Sequence, residues 1–265
     1  QIPIVDVQLM FHAGSAYDGK LPGLAALTNA MLDEGTQKLS TDQIATSFEN
    51  VGSNFQNGVS RDFAFLKFRS LSDKQYLQPT AEVFSDILSH PSFPQHELSR
   101  LRQQTLMGLK MQDQQPGTIA NKTFLKALYG SSPYAHSSMG NAHSVKRLKV
   151  AHLKAFYQQY YVAKNATLII VGNLTRKHAE ALADQMTQKL PPGKQAVLKW
   201  RSPMIDHAQL KKVTFPSAQT HVLMGQVGIK KGSPHFFATK IGNHILGGPG
   251  NMTSRLFDEV RDKKG

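Results

Sequence analysis

Histidines, carboxylates and an arginine are the side chains with which this sequence could do chemistry, because its 265 residues include no cysteine. That excludes disulfides, thiolate nucleophiles and Cys-type zinc sites. A helical metal site wants two histidines one turn apart, so that both imidazoles face one ion. None of the 11 histidines has another three to five residues away. His136 and His143 fall in a loop-like stretch and read as surface side chains. His244, on an apolar helix, reads as a satisfied core or interface residue. In the segment Pro22–Thr36 (PGLAALTNAMLDEGT), only Asp33 and Glu34 could exchange a proton, and both sit near its exit. Arg261 offers a fixed fork of donors suited to peptide carbonyls or acidic side chains. Gly247, Gly248 and Gly250 would let a bound chain approach the backbone closely, although a helix–helix connection explains them equally well.

The elements that must position these groups are legible in outline. Pro22–Thr36 reads as a capped apolar helix, with Leu24, Leu27, Met31 and Leu32 at helical spacing, Pro22 in the first turn and Gly35 past the end. Ile2–Gly14 reads as a buried strand, and Thr41 as the cap of a helix through Phe48 or Val51. Ser53–Val59 and Asp62–Ser70 read as a hairpin. Helices are expected over Asp73–Leu88, Glu97–Met111, Thr118–Leu128 and Ser144–Tyr160. Ala166–Val171 (ATLIIV) reads as a fully buried strand, followed by a helix from Thr175 to about Lys189.

Pro191–Pro203 is rich in proline and basic residues and reads as a linker, which divides the chain into residues 1–195 and 196–265. Beyond it, Lys212–Phe215 and His221–Gly228 read as strands and Pro234–Leu246 as an apolar helix. Strand, glycine, loop and helix recur about two hundred residues apart, the pattern of a duplicated domain. The expected class is α+β: duplicated α/β sandwich domains, each a mostly antiparallel sheet packed with helices, the second incomplete within these residues.

A formal charge of +13 favours acidic partners, but no run of basic residues exceeds two and no nucleic-acid module is recognisable. Nucleic-acid binding therefore ranks last among the functions considered. No apolar run approaches the ~20 residues needed to span a bilayer. A chain without thiols suits an oxidising compartment such as a periplasm.

Gly23-Leu24-Ala25 through Met31, followed by Gly35-Thr36, resembles the inverted zinc-binding helix of the pitrilysin/insulinase metallopeptidases, Gly-Leu-Ala-His-x-x-Glu-His-Met then Gly-Thr. The preceding GSAYD, Asn165-Ala166-Thr167 before the ATLIIVGN strand, and SRLFDEVRDKKG near the end extend the resemblance over essentially the whole chain. In that family two histidines bind zinc and the glutamate activates water. Ala26, Asn29 and Ala30 stand at those positions. Aligned through Arg102 and Pro116, the distal glutamate falls on Gly108 and its supporting glutamate on Leu101. The resemblance thus implies no metal in this chain.

Some bacterial members divide the work between two chains, one carrying the zinc motif and the other an arginine–tyrosine pair that engages substrate. Arg261 matches that arginine, and the tyrosine would fall seven residues later. The resemblance therefore implies a non-catalytic subunit that completes a peptide chamber beside a zinc-bearing homologue. A scaffold protein of the same fold is the alternative, and a peptidase with a relocated metal site a third reading.

Overall fold

Alternation of apolar and polar residues along Ile4–Phe11 (β1) buries Val5, Val7, Leu9 and Phe11 on one side and leaves Asp6 and Gln8 on the other. The computed structural model describes residues 2–200, 203, 207–248 and 252–265. In it β1 lies at the centre of a four-stranded sheet with Asn54–Val59 (β2), Ala64–Leu71 (β3) and Ala166–Gly172 (β4), in the order β2-β3-β1-β4. Every pairing is antiparallel, and the register sets Leu9 opposite both Leu66 and Leu168. A turn in which the Ser60 N–H donates to the Phe63 carbonyl joins β2 to β3.

Helices cover one face. They are Leu24–Ala30 (α1), Thr41–Glu49 (α2), Lys74–Ser89 (α3), Gln95–Gln112 (α4), Pro116–Tyr129 (α5), Ala142–Arg147 (α6), Val150–Tyr160 (α7) and Arg176–Thr187 (α8). Phe84 of α3 meets Phe68 of β3 edge-on at 5.1 Å, and Tyr161, after α7, packs on Phe11 at 4.7 Å. Such aromatic contacts fix one arrangement of sheet and helices as well as burying area. The fold is α+β, with a mostly antiparallel sheet and helices packed on it, as the sequence led us to expect.

Four local readings need correction. The first helix ends at Ala30, not near Thr36. Asp33 accepts a 2.7 Å hydrogen bond from Asn57 of β2, and Gly35 turns at φ 131°, so the chain leaves the helix axis to meet the sheet. Ser144–Tyr160 is two helices. Leu148 is extended and buried between them, and Arg102 Nη2 donates to its carbonyl at 2.6 Å.

β4 is not fully buried. It is an edge strand covered on one face only, with Ile169 43% and Val171 63% exposed. Lys212–Phe215 and His221–Gly228 form no strand, because no described segment offers them a ladder of hydrogen bonds.

Pro191–Trp200 is held against the first unit. The Pro191 carbonyl accepts from Ala163 N–H at 2.8 Å, the Asn165 side chain accepts from Ala196 N–H at 2.9 Å, and Trp200 packs on Tyr134 at 4.8 Å. By its contacts the chain forms two compact units, Gln1–Pro203 with His207–Met224, and a smaller one chiefly of Gly225–Gly265. The smaller unit contains Phe236–Gly247 (α9) and a π-helical turn, Phe257–Asp262.

Candidate functional site

Helix α1 begins at Gly23, whose left-handed φ of 95° disfavours any residue with a Cβ, and whose own Cβ would stand 2.8 Å from the Met139 carbonyl oxygen. Gly23 has no side chain with which to cap, and Asp18 does so from outside the helix. Its Oδ2 accepts from Gly23 N–H and its Oδ1 from Ala25 N–H, both at 2.7 Å. Asp18 is buried, and burial pushes its pKa up to about 7 against the opposing pull of those two donors. His136 Nδ1 stands 4.0 Å from Asp18 Oδ2 and 3.0 Å from the Ser137 carbonyl.

One face of α1 carries Ala26 and Ala30, four residues apart and both half-buried. A methyl group has no donor atom for a metal or a proton. Asn29 is 1% exposed, and its amide points into the core. Its Nδ2 donates to Tyr161 Oη at 3.1 Å and to the Phe65 carbonyl at 3.3 Å, which ties α1 to the end of α7 and to β3. Tyr161 is wholly buried, and that burial raises its pKa. Asn57 completes the network, donating to the Asn29 carbonyl at 3.1 Å and to Asp33.

Gly108 lies on α4, where a Cβ would meet Met139 Cε at an ordinary 3.5 Å, and Gln112 Nε2 stands 3.1 Å from the Met139 sulfur. Leu101, seven residues earlier on that helix, packs against the core. Zinc does not fit this donor set. Ala26, Ala30 and Gly108 present no ligand atom, and the one polar side chain, Asn29, spends its amide within the core. Among the described residues no three His, Cys, Asp or Glu side chains converge to hold a metal.

The two acids at the exit of α1 differ. Burial is the main cause raising the Asp33 pKa to about 6, with the adjacent Glu34 charge adding to it and Asn57 and Arg100 opposing. Glu34 pairs with Arg100 of α4 at 2.5 Å, and Arg100 also holds Glu97. These contacts make Asp33 and Glu34 structural ties between α1, β2 and α4.

Sequence reading singled out neither Asp18 nor Tyr161, the two groups that hold α1 in place. The GSAYD signal was visible for Asp18. For Tyr161, 132 positions from its partner Asn29, no local pattern existed.

Arg261 is exposed in the π-helical turn and stacks its guanidinium over Phe257 at 5.2 Å. Gly247 and Gly248 have packing reasons of their own. A Cβ on the first would stand 2.7 Å from Leu256 Cδ1, and one on the second 2.7 Å from His244 Nδ1. Gly250 lies outside the described residues.

Residues 1–142 match the model of the insulinase family (peptidase family M16), and residues 147–265 that of the peptidase M16 inactive domain. The chain belongs to the insulinase (peptidase M16) family. An uncharacterized zinc protease, YmxG of Bacillus subtilis, is 23% identical over 262 residues, covering 98% of this chain and 62% of the relative. A non-peptidase homolog, YmxG of Helicobacter pylori, is 23% identical over 269 residues, covering 100% of this chain and 60% of the relative.

Among solved structures, a peptidase M16 inactive domain from Pseudomonas fluorescens superposes with a TM-score of 0.93 at 39% identity, covering 100% of this chain and 64% of that one. The periplasmic protease PqqL from Escherichia coli shares the fold, with a TM-score of 0.69 at 23% identity over 77% of this chain and 23% of its own. The chain thus spans about three fifths of the length of the curated relatives it matches.

Proposed function

We propose that this M16 chain is a non-catalytic subunit of a heterodimeric zinc peptidase, acting beside a homologous partner that supplies the metal, its ligands and the general base. One observation carries the reading. The frame of the zinc helix is kept, with Gly23, Asp18 and the Met31–Thr36 exit all in use, while Asn29 is turned inward to Tyr161 and its neighbours Ala26 and Ala30 are methyls. Selection for metal chemistry would keep donors facing outward. Selection for the fold alone permits the exchange seen here.

Arg261 fits the role of a substrate-engaging cation, exposed and stacked over Phe257. An extended peptide has a place to add beside β2, the terminal strand of the sheet among the described residues, which meets α1 through Asn57. The name of the Helicobacter relative, a non-peptidase homolog, and the inactive-domain match over residues 147–265 support the absence of independent activity. The lack of cysteine and the periplasmic PqqL neighbour support a periplasmic setting.

The test mixes purified chain with a zinc-motif homologue from the same source and measures cleavage of a fluorogenic peptide. Activity is expected only in the mixture, and Arg261→Ala should lower it by 10-fold or more through KM. Activity of the homologue alone at the full rate, or a mixture indifferent to Arg261, would sink the proposal. The alternative is a scaffold protein of the same fold with no peptidase role. Native mass measurement showing a monomer or homodimer indifferent to the zinc-bearing homologue would favour it.

A further inference from the structure

The surplus of positive charge is not spread evenly. Residues 1–113 carry nine basic and twelve acidic side chains, whereas residues 114–257 carry nineteen basic and three acidic. No Asp or Glu occurs between Asp113 and Glu180, a stretch that supplies α5, α6, α7 and β4.

The elbow between α6 and α7 concentrates that charge. Leu148 is 1% exposed and Arg102 holds its carbonyl, so the residues beside it are driven outward. Lys146, Arg147 and Lys149 are all exposed, as is Lys154 on α7, whose buried side carries Leu153 and Phe156. Among the described residues none of these four cations has a carboxylate within ion-pair distance. Arg147 instead lies 3.2 Å from His143 Nε2.

The residues between the cations decide what this surface can hold. Every exposed residue from position 141 to 160 is Lys, Arg, His, Asn, Gln or Ala. No large apolar side chain is exposed there to anchor a protein partner, whose binding energy concentrates in buried aromatic and aliphatic contacts. Nor is an exposed Phe, Tyr or Trp ring available on which nucleic-acid bases could stack. What remains is unpaired positive charge on a helical surface of small polar and alanine side chains, which complements a continuous film of negative charge.

We propose that the α6–α7 elbow is a peripheral docking surface for anionic lipid headgroups. It would hold the protein at a membrane without inserting into it. Each Lys or Arg brought to an anionic surface raises affinity roughly five-fold, so three of them account for about a hundred-fold. Binding by charge alone is screened within a Debye length, about 10 Å at 0.1 M salt, and must weaken as salt rises.

The experiment is co-sedimentation of the 265-residue chain with phosphatidylcholine vesicles, with and without 30% phosphatidylglycerol, at 50 and 500 mM NaCl. Binding is expected only to the anionic vesicles and at least 10-fold weaker at high salt. The triple variant Lys146→Glu, Arg147→Glu, Lys149→Glu should lose about a hundred-fold. The equal charge change Lys20→Glu, Lys38→Glu, Lys74→Glu should cost less than ten-fold. Both variants replace exposed side chains, and circular dichroism checks that each folds. Equal loss in the two triples, or no preference for anionic vesicles, would overturn the proposal. So would an oligonucleotide or polyglutamate that binds the elbow more tightly than the vesicles do.

Discussion

Helices α1 and α9 start from the same sequence plan, a strand-like run to a glycine, a loop and an apolar helix, yet only before α1 does that run form a strand, and the two helices end in opposite circumstances. α1 is seven residues long and five of them are buried. It is tied at its start by Asp18 and in its middle by Asn29. α9 is twelve residues long, none is buried, and Phe237, Ile241 and Ile245 are exposed at 72%, 63% and 56% along one face. At twelve residues with two glycines, α9 is itself marginal as an isolated helix in water. The shorter one, too short to persist alone in water, owes its form to what surrounds it. An apolar stripe therefore announces a helix without announcing what that helix packs on.

The contrast can be broken most forcefully at Asn29. Asn29→Glu restores the residue type that the family motif has there, but it drives a carboxylate toward the Phe65 carbonyl and the buried Tyr161. We expect a loss of about 4 kcal/mol in urea unfolding, with no gain of zinc by metal analysis. A variant as stable as the parent would show that position 29 can face outward, and the account of α1 would fail.

Paired truncations sharpen the comparison next. Leu27→Ala, in the core under α1, should cost about 3 kcal/mol, whereas Ile241→Ala on the exposed face of α9 should cost less than about 0.5 kcal/mol. Similar losses at the two sites would mean that α9 is packed in solution.

Asp18→Ala should cost about 2 kcal/mol, because it leaves the Gly23 and Ala25 N–H groups without an acceptor. Hydrogen exchange should quicken across residues 23–30 and stay unchanged across α9. Exchange unchanged in α1 would show that Asp18 does not hold the helix.

The smallest effect is on pH dependence. Asp18 near 7 and Asp33 near 6 both sit above their ordinary carboxylate values, so the folded state binds protons that the unfolded chain has released. Their contribution to stability is present in full below about pH 4 and is lost as pH rises through 6 and 7. We expect the protein to lose about 1.5 kcal/mol between pH 6 and 7.5, and Asp18→Asn to flatten that slope. A parent whose stability rises over the same interval would contradict the buried, charge-averse setting described for the two acids.

Much of the fold was legible because it is written locally. The alternation of β1, the β2–β3 hairpin and the positions of α2 to α5 follow from spacing and turn chemistry within a few residues. Ser40 and Gln43 form the capping box of α2, so the cap is Ser40, one residue ahead of the Thr41 cap that the sequence suggested. The family likeness was legible too, because Gly23, Met31, Gly35 and Thr36 keep their spacing. β4 misled because a run of Leu, Ile and Val reads alike whether one face is covered or two. Residues 212–228 misled because strand propensity is not a strand until a neighbour supplies the ladder.

By itself, then, the sequence determined which atoms exist at α1. Alanines stand at positions 26 and 30, an amide at 29 and a glycine at 108, none of them able to assemble a zinc site. Tertiary structure decided where those atoms point. It turned Asn29 inward to Tyr161, stopped the helix at Ala30 by tying Asp33 to Asn57, and capped it with Asp18. Each of those choices is a contact with a residue outside the helix, set by the packing of the whole domain and beyond the reach of any periodicity within Pro22–Thr36.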